Sequence, residues 1–212
     1  LYDAGYQLGK KVRLQIHAWF FTDEMKKLVN YTHTDVHGIE VFTKLKEINS
    51  KAFPQYVEEM EGFSKGSELD MDKIWMLNMI EELENFHDYY YPKPPPQRKR
   101  RKLHSSSFNQ EEDQPFQEEH CTDIFSHSPS TKIIHGHNED WSINIKPFWY
   151  FSSITPLPDK SNNGKLNFSP CAGLSYPGTL LGFASTFNSK GLYITQNSLF
   201  PKTPIIGLAA TF

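Results

Sequence analysis

The sequence predicts an α+β protein, in which helices from the first part of the chain pack on an antiparallel sheet from the last part. Apolar residues recur at helical spacing through residues 1–90, whereas residues 121–212 contain short apolar runs separated by turn signals. Residues 91–119 lie between them and are rich in proline and charge. These observations divide the chain into a helical region, a linker and a β region.

Three helices are predicted in residues 1–90. Their apolar positions are Leu8, Val12, Ile16 and Phe20; then Val36, Ile39, Phe42, Leu45 and Ile48, ended by Phe53-Pro54; then Ile74, Leu77, Ile80 and Leu83, in a helix that begins near Asp70. Asn78 and Glu81 lie on the third helix and are candidates for a site. A polar residue on a mostly apolar helix is more commonly a hydrogen-bonded packing contact, and we favour that interpretation.

Residues 91–119 are predicted to be a disordered surface linker, because they contain too few apolar residues to bury a core. A polyproline-type segment at residues 91–96 precedes a basic cluster at residues 98–102 and a polar, acidic stretch that ends at Glu119. The basic cluster is compatible with a nuclear-localisation signal, a dibasic processing site or a solvated linker. We favour the solvated linker.

The β region opens with a predicted hairpin that places a cysteine near a carboxylate. Residues 121–126 and 132–141 have the character of short strands, and Ser128-Pro129-Ser130-Thr131 is a turn signal between them. The end of the second strand then returns to the start of the first, so Cys121 and Asp140 are expected to be neighbours. Further strands are predicted at residues 148–151, 180–184 and 192–197.

Several motifs occur in a characteristic order. They are Gly5-Tyr6-Gln7-Leu8-Gly9-Lys10, Cys121-Thr122, Gly136-x-Asn138-x-Asp140-Trp141, Tyr176-Pro177-Gly178 with Gly182-Phe183, and Asn188-x-x-Gly191-Leu192 leading into Thr195-Gln196-Asn197-Ser198-Leu199. This string resembles the N-terminal-nucleophile hydrolases, specifically the acyl-coenzyme A:isopenicillin N acyltransferase-like group and, within it, the β-alanyl-dopamine hydrolases. The resemblance implies an αββα sandwich of which this chain carries the N-terminal part, with the remainder after Phe212, so we expect a fragment or a truncated relative.

The resemblance also implies a self-processing cysteine amidohydrolase or acyltransferase. Cys121 would attack the carbonyl of His120 and cut the His120–Cys121 bond, and the freed α-amino group, with an ordinary pKa of roughly 7.7–8.0, would then serve as the base. Asp140 would orient the thiol or ammonium, and Asn197 would donate to the oxyanion. Asn138 is a weaker oxyanion candidate, because local turn capping explains it equally well.

The implied substrate is a small N-acyl amine of the β-alanyl type, with Trp141 and Tyr176 as candidate pocket residues. No cofactor is expected, and the two cleaved subunits are expected to stay associated as a heterodimer. The residue before the nucleophile in this group is often glycine, and here it is His120. The alternative is a catalytically inactive, truncated relative that acts as a binding or regulatory module.

Composition excludes other classes of function. The net charge of -3 gives no electrostatic reason for nucleic acid binding, and no apolar run approaches the roughly 18–20 residues that span a bilayer. Two cysteines, Cys121 and Cys171, do not make a dense disulfide framework, and a single bridge between them is the less favoured alternative. We expect a cytoplasmic protein. The histidines at positions 120, 127, 135 and 137 suggest a metal site, but their spacing is not that of zinc motifs, and we predict none.

Overall fold

The computed structural model describes residues 1–92, 121–128, 130–156 and 169–209. It contains a helical part and two antiparallel sheets. Nearly all of the predicted linker, and the predicted cleavage residue His120, lie outside the described residues. The mixture of helices and antiparallel strands is compatible with an α+β layering.

Seven helices occupy the described N-terminal part, where three were predicted. They are α1 (Tyr2–Lys11), α2 (Arg13–Phe20), α3 (Asp23–Thr34), α4 (Val36–Ala52), α5 (Pro54–Ser67), α6 (Met71–Leu77) and α7 (Ile80–Tyr90). The first predicted helix is interrupted at Val12, whose φ of -105 and ψ of 14 leave the helical region. The third is interrupted at Asn78 and Met79.

Helices α3 and α5 were not predicted, although the sequence contains a start signal for each. Thr22 caps α3 by accepting a hydrogen bond from the Met25 backbone N–H. Threonine is a common N-cap residue, and here it follows closely after Phe20, the last apolar position of the first predicted helix. Pro54 ends α4 as predicted, but it also occupies the first turn of α5. Proline is well tolerated there because its missing N–H would have no partner within the helix.

Helices α1 and α5 lie in backbone contact because glycines face each other across the interface. A Cβ on Gly5 would lie 2.0 Å from the Glu59 carbonyl oxygen, and one on Gly62 would lie 2.0 Å from the Tyr2 carbonyl oxygen. Gly9 and Gly66 repeat the pattern one turn further along. Glycine is therefore required at these positions for close approach, although it is a poor helix former.

Replacing Gly62 with Ala is expected to destabilise the protein by about 1–3 kcal/mol, because the new methyl group overlaps backbone that has no rotamer to adjust. Helix propensity alone predicts the opposite sign, a gain of about 1 kcal/mol. Urea unfolding measures the difference, and Glu61→Ala, on the exposed side of the same helix, is the control. A Gly62→Ala chain as stable as the parent would contradict the close packing of α1 and α5.

The described β part consists of a hairpin and a four-stranded sheet. The hairpin pairs β1 (Thr122–Ser128) with β2 (Thr131–Asn138), and the sheet has the order β3-β4-β5-β6, from β3 (Tyr150–Ile154), β4 (Cys171–Ser175), β5 (Thr186–Asn188) and β6 (Tyr193–Ile194). A 3-10 helix at Ile143–Phe148 connects the hairpin to the sheet. Among the described residues, no helix combines the length and apolar character needed to cross a membrane.

The strand predicted at residues 180–184 is wrong. This segment forms buried turns, in which the Leu180 N–H donates to the Asn78 side-chain oxygen at 2.8 Å and Gly182 adopts a φ of 120. Its apolar side chains fill the core between the helices and the sheet. The segment is therefore as apolar as a buried strand, although it pairs with no strand in the described part of the chain. The strand predicted at residues 192–197 is likewise limited to Tyr193–Ile194.

Asn78 joins the helical part to the β part through its side chain. Its amide nitrogen donates to the Ile74 oxygen at 2.9 Å and to the Gly178 oxygen at 3.0 Å, and its oxygen accepts from Leu180. Asn78 is thus the hydrogen-bonded packing contact that the sequence favoured. Gly178, with a φ of 88, fits closely against α6, since a Cβ there would lie 2.2 Å from a Leu77 methyl carbon.

Candidate active site

The β1–β2 register places Cys121 beside the residues that follow β2. Thr122 pairs with Asn138, so the residue before β1 meets the residues after β2. The Cys121 Sγ lies 3.8 Å from Glu139 Oε2, in the geometry of a thiol donating to a carboxylate. The backbone N–H of Asp140 also donates to the sulfur.

The carboxylate that contacts the thiol is therefore that of Glu139, whereas the sequence prediction assigned this position to Asp140. The Asp140 side chain is exposed, and its Oδ2 accepts a hydrogen bond from Asn138 Nδ2 at 2.8 Å. Asn138, the weaker oxyanion candidate, is thereby engaged locally. Neighbouring residues in extended backbone point to opposite sides, so sequence proximity alone does not decide which of two adjacent carboxylates faces the thiol.

Cys121 lines a cavity of about 70 Å³ between α7, the hairpin and the chain after β6. The lining residues are Glu81, Glu84, Cys121, Glu139, Asp140, Trp141, Tyr176, Phe183, Gln196, Ser198 and Phe200. Both aromatic residues predicted for a pocket, Trp141 and Tyr176, are among them, and their rings meet edge to face at 4.6 Å. The cavity is small beside the roughly 300–1,000 Å³ of typical drug-sized pockets, so it has room only for a small chemical group.

Glu139 lies within hydrogen-bonding distance of three side chains. Besides the thiol, the Tyr176 hydroxyl donates to Oε2 at 2.6 Å, and His137 Nε2 lies 3.1 Å from Oε1. The His137 side chain is only 1% exposed. This set of contacts fixes the Glu139 carboxylate against the thiol, because each oxygen has a donor that holds it in place.

A row of hydrogen bonds continues from Glu139 to Asp123. His137 Nδ1 lies 3.0 Å from Asp123 Oδ1, and His135 Nε2 lies 2.6 Å from the same oxygen. A neutral imidazole carries one N–H, yet both His137 nitrogens face carboxylate oxygens. The two ring nitrogens of His137 thus link the Glu139 and Asp123 carboxylates into one row beside the thiol.

The environment of the thiol favours its protonated form. Burial raises the pKa of Cys121, and the negative charges of Glu139, Asp140 and Glu81 raise it further, against the lowering effect of the Asp140 backbone N–H. Burial likewise raises the pKa of Glu81. Burial and the Glu139 carboxylate raise the pKa of Tyr176, so its hydroxyl remains a donor. Thiolate formation in this site thus requires a base close to the sulfur.

Asn197, the predicted oxyanion donor, lies away from the cavity. Its Nδ2 donates to Asp123 Oδ2 at 2.8 Å, while the residues on either side, Gln196 and Ser198, line the cavity. Asn197 would have to turn toward Cys121 to serve an oxyanion there. Successive side chains of an extended backbone point to opposite sides. The Asn197 side chain therefore points away from the side on which Gln196 and Ser198 reach the cavity.

A metal-ligand set also exists within the described residues. One ligand atom each from Cys121, His137 and Glu139 lie within 4.8 Å of one another. Three protein ligands of these types resemble a catalytic zinc site. The same atoms are engaged with one another and with neighbouring side chains through hydrogen bonds, so their polar groups are satisfied without an ion.

Sequence reasoning missed six residues of the site, namely Glu84, Glu139, Phe183, Gln196, Ser198 and Phe200. Glu139 precedes Asp140 in the motif, and Gln196 and Ser198 flank Asn197. Each of these three residues is therefore adjacent to a residue that the sequence did indicate. Glu81 was considered as a candidate and was assigned to packing; it lines the cavity. His137 is one of the histidines that suggested a metal site in the sequence.

Comparison with known proteins finds a distant hydrolase relative. No family model matches the chain. The chain is 24% identical over 204 residues, 93% of its length, to the β-alanyl-dopamine/carcinine hydrolase of Drosophila melanogaster. It spans 46% of the length of that relative. The similarity covers the helical part and the candidate site together, and it supports a relationship to this hydrolase.

Proposed function

We propose that this chain is a self-processing cysteine amidohydrolase that acts on a small N-acyl amine of the β-alanyl type. The observation that carries the proposal is the Cys121 thiol, held against Glu139 at the wall of a cavity with aromatic sides. The similarity to a hydrolase named for β-alanyl-dopamine and carcinine supports the substrate class. We further propose that the helices and sheets belong to the αββα arrangement of N-terminal-nucleophile hydrolases.

In the proposed maturation step, the Cys121 sulfur adds to the carbonyl carbon of His120. The peptide C–N bond breaks, a thioester forms and the Cys121 nitrogen takes up a proton as an amine. Water then hydrolyses the thioester, which leaves a carboxylate on His120 and a free α-amino group and thiol on Cys121. Glu139 is positioned to accept the thiol proton during this first attack, since it already receives the S–H hydrogen bond.

In turnover, the α-amino group takes the thiol proton and the thiolate adds to the substrate amide carbon. The C–N bond breaks, the α-ammonium returns its proton to the leaving amine, and the acyl group remains on sulfur until water releases it as a carboxylic acid. Asp140, exposed at the cavity edge beside Cys121, is proposed to hold the α-ammonium. Release by another amine or a thiol instead of water would make the enzyme an acyltransferase.

The two products of cleavage are proposed to stay together as a heterodimer. The helical part and the β part share one apolar core, in which Trp19, Leu77 and Leu83 belong to the same cluster as Tyr176 and Phe183. Separating the subunits would expose this core and break the hydrogen bonds of Asn78. Burial of this kind favours association after the backbone is cut.

The experiment that tests the function combines intact mass with turnover. The purified chain is expected to give two masses that divide before Cys121 and to release dopamine from β-alanyl-dopamine, with and without EDTA. Loss of turnover in EDTA would point to a metal on Cys121, His137 and Glu139 instead of thiol chemistry. A single undivided mass without turnover would favour a catalytically inactive relative that acts as a binding module.

A further inference from the structure

Among the described residues, the cavity beside Cys121 is lined by acidic side chains and by no basic side chain. Its described lining includes the carboxyl groups of Glu81, Glu84, Glu139 and Asp140, and no lysine, arginine or histidine. Such a surface attracts cations and repels anions at short range, where solvent screening is weak. The sign of the charge on the substrate is thus restricted by the site itself.

Glu81 differs from the two carboxylates beside Cys121 in its partners. Glu139 is engaged by the thiol, Tyr176 and His137, and Asp140 is engaged by Asn138. Glu81 receives the Ser198 hydroxyl and the Gln196 side chain, both uncharged donors. Within the described part of the chain, no lysine, arginine or histidine forms an ion pair with Glu81.

The surroundings of Glu81 make a cationic ligand favourable. Burial disfavours its charge, and the nearby negative charges of Glu82 and Glu139 do so as well. An opposite charge brought in by a ligand reverses both effects, because it pairs with the carboxylate in a partly desolvated site. The same cavity is lined by Trp141, Tyr176 and Phe183. The faces of aromatic rings also attract ammonium groups.

We propose that Glu81 binds the primary ammonium of the substrate's acyl part and thereby selects aminoacyl amides over plain acyl amides of the same size. This inference rests on the proposed function and names the specificity of that site. The acyl carbonyl would lie at Cys121, and the amino end of the acyl chain would point to α7. Glu81 acts here as a substrate-binding residue and takes no part in the covalent steps.

The test compares β-alanyl-dopamine with N-propionyl-dopamine, which has the same acyl length and lacks the amino group. Wild-type protein is expected to favour the β-alanyl amide in kcat/KM by about 10- to 100-fold, the range expected for one charge-assisted hydrogen bond. Glu81→Gln is expected to remove most of this preference, because the amide keeps the shape and loses the charge. Glu82→Gln, on the same helical turn and outside the cavity lining, is expected to retain it.

A second measurement does not depend on turnover. Isothermal titration of the Cys121→Ala chain is expected to show tighter binding of β-alanyl-dopamine than of N-propionyl-dopamine, and Glu81→Gln in that background is expected to make the two affinities similar. Equal affinities before the Glu81 change would overturn the inference. So would an equal loss of kcat/KM for both amides in Glu81→Gln, which would assign Glu81 to the α-ammonium of Cys121. Absence of hydrolysis of either amide would instead contradict the proposed function.

Discussion

The Cys121→Ala chain is expected to remain as one uncut polypeptide and to show no hydrolysis of β-alanyl-dopamine above background. The sulfur is the proposed nucleophile of both maturation and turnover, and alanine leaves neither a thiol nor a route to the thioester. Removing a nucleophile of this kind typically costs roughly 10⁶-fold in kcat. Intact mass reports the first effect, and release of free dopamine reports the second.

Cys171→Ala is the matched control, because it removes the other thiol of the chain. Cys171 is half-buried at the start of β4, where it pairs across the sheet with Ile154 and Asn188, and it does not line the cavity. This variant is expected to be cut and to turn over like the parent. Persistence of either reaction in Cys121→Ala would refute the proposed nucleophile, and equal loss in both variants would indicate a general effect on folding.

The hairpin illustrates how much of the site could be predicted from the sequence. The turn signal and the alternating runs were sufficient to expect that Cys121 lies next to the residues after β2, and the register of Thr122 with Asn138 confirms this. They did not indicate which carboxylate reaches the sulfur. A shift of one residue in extended backbone exchanges the two faces, and the side chains of His137 and Tyr176 decide which carboxylate is held inward.

The helical part was predictable in its location and less so in its divisions. Apolar spacing identified the regions of α1, α2, α4, α6 and α7, since α2, α4, α6 and α7 bury apolar side chains in the common core and Leu8 of α1 packs against it. The breaks at Val12 and Asn78 depend on tertiary contacts, which the local pattern does not contain. The roles of Asn78 and Glu81 were equally dependent on what packs opposite them, namely Leu180 and Ser198.

Self-cleavage of the Glu139→Gln chain is expected to slow about 10²-fold or more, the usual loss when a positioned acid–base group is removed. The substitution keeps the size of the side chain, and its oxygen can still accept from Tyr176. It removes the negative charge and the basic oxygen that faces the Cys121 thiol. No α-amino group exists at that stage to replace Glu139 as the base. Turnover is expected to fall with self-cleavage, because an uncut chain lacks the α-amino group that takes the thiol proton in turnover.

The same substitution is expected to lower the pKa of the Cys121 thiol, because the Glu139 charge is one of the groups that raise it. Iodoacetamide alkylation in a Cys171→Ala background measures this, since only the thiolate reacts. With a lower pKa, the rise of the alkylation rate moves to lower pH, and the rate at neutral pH increases. If the thiol becomes more reactive toward iodoacetamide while turnover falls, the loss of turnover is due to the missing basic oxygen of Glu139. It is then not due to the effect of the Glu139 charge on the pKa of the thiol.

Asp140→Asn provides the comparison, since Asp140 is adjacent, carries the same charge and contacts the sulfur only through its backbone N–H. The substitution preserves that N–H, so the first attack on His120 is expected to proceed and the intact mass to show two fragments. Turnover is expected to fall, because the carboxylate proposed to hold the α-ammonium is lost. If maturation is lost in Asp140→Asn and retained in Glu139→Gln, the roles of the two carboxylates are reversed. Asp140 would then be the partner of the Cys121 thiol, as the sequence motif first indicated.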